Sequence, residues 1–150
     1  MTAFESDLLV ELVGRKHQIL SELCELGRRQ SVLIDRQELG ELLNVLATKQ
    51  QLISVLQTTQ RELDPFRHQA PAERRWRTPA DRARCAGLLD RCEALLAEIV
   101  AQEKRSEHDL KLRRDEAGAR LEGAHTAGRA RNAYAAQQPN LGQLDLSSEY

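Results

Sequence analysis

Apolar residues in the first 64 positions recur at alternating steps of three and four, the spacing that places side chains on one stripe of a helix. A first seam consists of Leu9, Leu12, Ile19, Leu23, Leu26 and Leu33. A second seam consists of Leu39, Leu42, Leu46, Ile53, Leu56 and Leu63. Polar residues interrupt the two seams at Lys16, Gln30, Lys49 and Gln60. The pattern predicts two long helices that pack along a thin core of leucine side chains.

Helix-boundary signals divide the chain into four segments. Thr2 and Glu5 have the spacing of a capping box, Asp35 followed by Glu38 predicts a second helix start, and Pro65 predicts its end. We therefore expect a helical hairpin over 2–64, with helices of about 2–34 and 36–64, although the apolar run Val32, Leu33 and Ile34 is also consistent with one bent helix. A Pro/Arg-rich linker over 65–79, a long third helix over 80–136 and a disordered tail over 137–150 follow.

The third helix is predicted to begin at Thr78 and Pro79, because threonine caps helices and proline is favoured at the first helical position. Its apolar positions become sparse after Val100. Gly118, Gly123 and Gly128 each weaken a helix interior by roughly 1 kcal/mol relative to alanine. We expect an all-α protein in which three long helices form an antiparallel, coiled-coil-like bundle with an extended, marginal C-terminal helix.

Composition narrows the class of protein. The chain has 150 residues, so one domain is expected, and only 3% are aromatic while 30% are charged. The formal net charge of −1 gives no bulk attraction to nucleic acid or to acidic lipid. No apolar run approaches the roughly 20 residues that span a bilayer, and no secretory signal is recognised. We expect a cytoplasmic protein without stable membrane insertion.

Signatures of enzymatic chemistry are missing from the sequence. It has no glycine-rich phosphate loop, no nucleophile triad spacing and no zinc-ligand spacing. The three cysteines, Cys24, Cys85 and Cys92, lie inside helical patterns and are expected to be packing residues in a reducing compartment. His17 is interpreted as a partly buried helix residue. We predict no enzymatic activity, no catalytic residue, no metal and no cofactor.

The predicted linker is rich in arginine. Arg67, Arg74, Arg75 and Arg77 surround a single acidic residue, Glu73. Two interpretations stand side by side, a solvated loop and a contact for an anion or an acidic protein. Trp76 could stack on a guanidinium group or fold back on the bundle.

The residues from Asp35 to Leu56, with the cluster Lys49, Leu52, Ile53 and Leu56, resemble the second-helix region of FlgN-type flagellar export chaperones. The order of elements is also similar: a leucine-rich first helix, a short polar break, a variable linker, a long third helix and a loose tail. The resemblance covers most of residues 6–136. It implies a cytoplasmic chaperone that binds hook–filament junction subunits and delivers them to the flagellar type III export gate or ATPase complex.

In that family the C-terminal part of the last helix binds the cargo, and a tyrosine just beyond it docks on the export gate. The resemblance places Tyr134 at the docking position. The sparse apolar residues of the third helix are the candidate cargo contacts, because a marginal helix cannot bury them alone. These residues are Leu110, Leu112, Ala117, Leu121 and Ala124.

Two other functions are consistent with the same sequence. The first is a coiled-coil structural or adaptor protein that self-associates through its seams, for example as a homodimer. The second is an export-machinery regulator that binds an ATPase subunit through the basic residues between Arg67 and Arg84. The three hypotheses place the contact on different parts of the chain.

Overall fold

A computed structural model describes residues 2–137, apart from the side chain of Ala3, and the chain divides into two units, Met1–His108 and Asp109–Tyr150. The described residues form three α-helices and no strand. These are α1 (Ala3–Asp35), α2 (Leu39–Arg67) and α3 (Pro79–Gln137), with one turn of 3-10 helix at Pro71–Glu73. The all-α class with three long helices is confirmed. Except for Gln137, which ends α3, the predicted tail lies outside the described residues.

The first unit is held by three apolar clusters along its helices. Leu9, Leu12 and Val13 of α1 meet Leu63 and Phe66 of α2 and Cys85 of α3. A second cluster joins all three helices further along, and a third joins the end of α1 to the start of α2. The second contains Ile19, Leu20, Leu23 and Cys92, and the third contains Leu33, Ile34, Leu42 and Val45. In this unit α2 therefore runs antiparallel to both α1 and α3.

The two predicted seams differ in outcome. In the first seam five residues are buried and Leu26 is half-buried. In the second seam only Leu42 and Leu63 are fully buried, whereas Leu39 and Leu46 are exposed. Val45, Lys49, Thr59 and Phe66 are buried on α2 instead. The true buried stripe of α2 is thus rotated from the leucine pattern, because the helix must face α3 as well as α1.

Helix α1 ends in a Schellman motif, although the sequence lacks the glycine that usually indicates one. The N–H of Glu38 donates to the Leu33 carbonyl at 3.0 Å and the N–H of Gln37 donates to the Ile34 carbonyl at 3.1 Å. Gln37 takes a left-handed backbone with φ of 57°. Glycine is the usual residue there because it has no Cβ. The predicted second-helix start at Asp35 is therefore wrong: Asp35 is the last residue of α1 and α2 begins at Leu39.

The predicted end of α2 at Pro65 is also displaced, whereas the predicted start of α3 is confirmed. Helix α2 continues through Pro65 to Arg67, since one further turn buries Phe66 in the first cluster. The Thr78 hydroxyl accepts a hydrogen bond from the N–H of Asp81 at 3.2 Å, and Pro79 is the first helical residue. The capping box at Thr2 and Glu5 also forms as predicted.

The connection between α2 and α3 is tied to the bundle. The hydroxyl of Ser6 donates to the Arg75 carbonyl, and the Arg77 guanidinium pairs with the Asp7 carboxylate. Trp76 packs against the first apolar cluster, so it folds back on the bundle. Most side chains of this segment, including those of Arg75 and Arg77, are exposed, while these contacts hold its backbone and Trp76 against the bundle.

A buried lysine joins the three helices at one level. The ammonium of Lys49 on α2 donates to the Gln30 side-chain oxygen of α1 at 2.7 Å and pairs with the Glu103 carboxylate of α3. Lys49 and Gln30 are both buried, while Glu103 remains half in solvent. Two polar interruptions of the predicted seams are therefore partners. They fix the register of the helices, because sliding any one of them would leave a charge buried without partners.

A second buried polar residue packs beside this layer. The Gln102 side-chain amide of α3 donates to the Cys24 carbonyl of α1 at 3.0 Å. Its side-chain oxygen lies over Gly27, where an added Cβ would clash with it. Gly27 is therefore the opening in α1 that admits a polar side chain from α3.

We predict that Gly27→Ala destabilises the protein, because the new methyl group must displace Gln102 from its hydrogen bond. Gly14→Ala is the matched control, since a Cβ at Gly14 meets no atom within 4 Å. In the same helix the control should gain about 0.5–1 kcal/mol from helix propensity alone. Urea unfolding measures both free energies. A stabilising effect at both positions would contradict the packing at Gly27.

We also predict strong coupling between Gln30 and Lys49. Gln30→Leu leaves the buried Lys49 ammonium with Glu103 alone, and Lys49→Leu leaves the buried Gln30 side-chain oxygen without its donor, each at a cost of about 1–3 kcal/mol. The double variant removes both polar groups and should be more stable than the sum of the single effects predicts. A double-mutant cycle in urea tests this, and simple additivity would show that the two side chains do not interact.

Candidate functional site

The described part of the second unit, residues 109–137, is a continuous stretch of α3 with no fully buried side chain. Leu110 is 41% exposed, Leu121 is 73% exposed, and the two alanines of the predicted cargo site are exposed as well. Single exposed apolar side chains are ordinary, whereas several that share one face are typical of a surface that binds another molecule. We call residues 109–137 the arm.

Four of the five predicted cargo residues share one face of the arm. At about 100° per residue, the positions of Leu110, Ala117, Leu121 and Ala124 fall within a sector about 60° wide. Leu112 is 47% exposed but lies about 200° away from Leu110 around the helix. The prediction that all five form one contact surface is wrong for Leu112. Residues two positions apart on an α-helix lie about 200° apart, so Leu112 cannot share a face with Leu110.

Leu112 instead shares a second, opposite stripe with Tyr134. Between them on this stripe lie the acidic Glu116 and four small residues, Ala119, Gly123, Ala127 and Ala130. Tyr134 is 64% exposed. The arm therefore presents one narrow apolar stripe led by leucines and a second stripe of mostly small residues, interrupted by Glu116, that ends in the tyrosine. We call them the leucine stripe and the tyrosine stripe.

Charged residues of both signs separate the two stripes. Arg114 and Asp115 form an ion pair at 3.3 Å with both side chains exposed, so its contribution to stability is small. Both signs of charge occur from Asp109 to Glu122, and Arg129 and Arg131 follow. Such a mixed surface does not track a phosphate backbone, but it can complement an amphipathic helix that also carries both charges.

The heptad pattern of α3 extends further than its apolar residues do. Gln102 and Ser106 are buried and continue the steps of three and four set by Cys92, Leu95 and Ile99. Apolar periodicity missed them because they are polar. Their spacing was the available signal, and it places the end of the buried face of α3 four residues beyond Gln102.

The three cysteines are buried and reduced. Burial is the main cause that raises the pKa of each thiol, and nearby Glu98 also raises the pKa of Cys24. Arg74 and Lys16 oppose part of the effect on the pKa of Cys85 and Cys92. Neutral thiols are poor nucleophiles, so none of them is activated for catalysis. Within residues 2–137 no group of three or more metal-binding side chains occurs, and no helix is long and apolar enough to cross a membrane.

Comparison of the chain with protein-family models, curated proteins and solved structures finds no match. The interpretation of its function therefore depends on the residues and the geometry described above.

We predict a one-directional pH dependence of stability from the buried thiols. An unfolded thiol ionises near pH 8.5, whereas burial raises the pKa of the native Cys85 thiol, so the native state binds more protons above that pH. The free energy of unfolding should be insensitive to this group at neutral pH and should fall as the pH rises through about 8.5. Urea unfolding of the native protein and of Cys85→Ala from pH 7 to about 10 measures the difference. Parallel pH profiles would mean that the native thiol ionises like an unfolded one.

Proposed function

We propose that this protein is a non-enzymatic, cytoplasmic chaperone of flagellar type III export that binds hook–filament junction subunits through the leucine stripe of its arm. The observation that carries the proposal is the exposure of Leu110 and Leu121 on one face of the arm. A cargo helix laid along this stripe would bury both leucines, as in other helix-in-groove interactions. The sequence resemblance around Asp35–Leu56 supplies the flagellar pathway.

The two stripes support a division of roles around the arm, with cargo binding on one stripe and docking to the export gate on the other. Tyr134 lies on the tyrosine stripe, about 120° around the helix from Leu110 and about 140° from Leu121. A cargo on the leucine stripe would leave the tyrosine stripe accessible. In the proposed mechanism Tyr134 contacts the export gate while the cargo remains bound, and Leu112 belongs to the gate contact.

The first unit serves as a rigid base in this mechanism. Its buried polar layer at Lys49 and its three apolar clusters hold the helices in register. The arm contributes no comparable cluster among its described residues. A chaperone must release its cargo, and a contact limited to one narrow stripe keeps the affinity moderate.

We predict that Leu110→Glu and Leu121→Glu each weaken cargo binding by about tenfold or more, because each removes a leucine whose burial contributes roughly 1.5–3 kcal/mol. Leu112→Glu is the matched control, since it places the same charge on the opposite side of the same helix. Isothermal titration of the purified protein with a purified hook–filament junction subunit from the same organism measures the affinities. Circular dichroism confirms that helix content is retained.

Two results would contradict the proposal. If Leu112→Glu weakens binding as much as Leu121→Glu, the cargo does not recognise the leucine stripe. If no junction subunit binds, and sedimentation shows that Leu121→Glu disrupts a dimer, then the arm is the interface of a self-associating coiled coil. The exposed Leu110 and Leu121 would then pack between two copies of the chain, which makes self-association the alternative function.

A further inference from the structure

A cationic pocket occupies the opposite end of the first unit from the Lys49 layer, where the connection between α2 and α3 packs on the bundle. Lys16 of α1, Arg67 of α2 and Arg74 of the connection line it, and its volume is about 180 Å³. Its walls are apolar and include Leu9, Val13, Leu63, Phe66 and Leu89. Among the described residues no carboxylate lines this pocket.

A second small pocket adjoins the first. It has a volume of about 150 Å³ and shares Arg74 and Leu89 with its neighbour. The rest of its lining consists of Pro71, Trp76, Arg82, Cys85 and Ala86. Arg74 therefore lies between two apolar recesses. Each is smaller than the roughly 300–1,000 Å³ of a site for a drug-sized ligand, and each is of the size that accepts one or two side chains.

Arg74 is held in place but is not fully satisfied. Its Nη2 donates to the Phe66 carbonyl at 2.9 Å, whereas its Nε is buried without an acceptor among the described residues. A buried guanidinium N–H without a partner is costly, and a carboxylate is the acceptor that guanidinium groups bind best. The carboxylate of Asp64 pairs with Arg67 only at 3.8 Å and is exposed.

We propose that these two pockets form a docking site for an acidic segment of a partner protein in which Asp or Glu alternates with Leu or Phe. The carboxylate binds between Arg74, Arg67 and Lys16, and the neighbouring apolar side chains fill the recesses beside Phe66 and Trp76. Charge complementarity selects the acid, and the apolar walls select a peptide over a phosphate group, which has no apolar atoms to bury.

This site is independent of the proposed cargo stripe. It lies wholly within the first unit, between residues 9 and 89, whereas the leucine stripe lies in the arm. A protein that uses both would bind two partners through different chemistry, one by apolar contact and one by charge. Failure of one proposal leaves the other intact, because the two sets of variants share no residue.

The single tryptophan of the chain, Trp76, makes binding directly measurable. We expect a synthetic peptide of sequence Glu-Leu-Asp-Phe-Glu-Leu, with blocked ends, to change the Trp76 fluorescence in a saturable manner. Two control peptides separate the contributions. Gln-Leu-Asn-Phe-Gln-Leu keeps the apolar side chains without charge, and Glu-Ser-Asp-Ser-Glu-Ser keeps the charge without apolar side chains. Both should bind at least about tenfold more weakly.

Variants then locate the site. Arg74→Gln should weaken binding of the acidic peptide by about tenfold or more, and Lys16→Gln and Arg67→Gln should each weaken it less. Arg61→Gln is the matched control, because Arg61 is exposed on α2 and lines neither pocket. The Lys16 and Arg67 variants keep the test valid if Arg74→Gln loses stability with its bond to Phe66.

Three results would overturn the proposal. The first is equal binding of the neutral and acidic peptides, which would remove the role of charge. The second is unchanged affinity in both Lys16→Gln and Arg67→Gln. The third is a Trp76 signal that does not respond to any of the three peptides.

Discussion

The structure of the first unit depends on one buried cation. Lys49 lies on α2, and its ammonium group donates to Gln30 of α1 and pairs with the Glu103 carboxylate of α3. One side chain therefore bonds to both other helices. The apolar clusters on either side of this layer define the register less strictly, since apolar cores accept other apolar side chains of similar volume. The ammonium group does not tolerate a shift of register, because a buried charge without partners costs several kcal/mol. The register of the three helices is therefore determined by buried polar groups and not by the amount of apolar area that is buried.

This constraint also explains where the packed part of the molecule ends. The last buried side chain of α3 among the described residues is Ser106, one turn beyond Gln102. From there on α3 carries alanine, glycine and charged residues around a few leucines. The composition changes where the packing changes: α3 packs within the chain in the first unit, which ends at His108, and its side chains are mostly exposed in the arm. The proposed binding role of the arm follows from this difference.

The sequence was sufficient for the helices and their most local signals. Thr2 with Glu5, and Thr78 with Pro79, act through hydrogen bonds within one turn, so their identity alone predicts them. Gln37 was not predictable, because its left-handed backbone is stabilised by carbonyls of α1 and not by its own side chain. Helix α2 continues past Pro65 because the extra turn buries Phe66 in the first cluster, and such a tertiary contact cannot be predicted from local sequence.

The candidate site was predictable only in part for a similar reason. Leu110 and Leu121 stand out as isolated apolar residues in a charged stretch, and helical periodicity places them together. The same arithmetic separates Leu112 from them, which a search for apolar residues alone overlooks. The cationic pocket required the fold, since Lys16, Arg67 and Arg74 come from three segments that only the packed connection brings together.

The docked connection between α2 and α3 has a consequence for the order in which the chain folds. Contacts between α1 and α2 close through a turn of three residues, whereas those of α1 with the connection and α3 join positions 69 and 78 residues apart. Local contacts form faster than distant ones, and the ribosome releases the chain from its N-terminus. The segment that forms the α1–α2 hairpin is therefore synthesised before Glu103. We expect Lys49 to contact Gln30 first, before the Glu103 carboxylate is present. Arrival of α3 supplies the missing carboxylate and closes the unit.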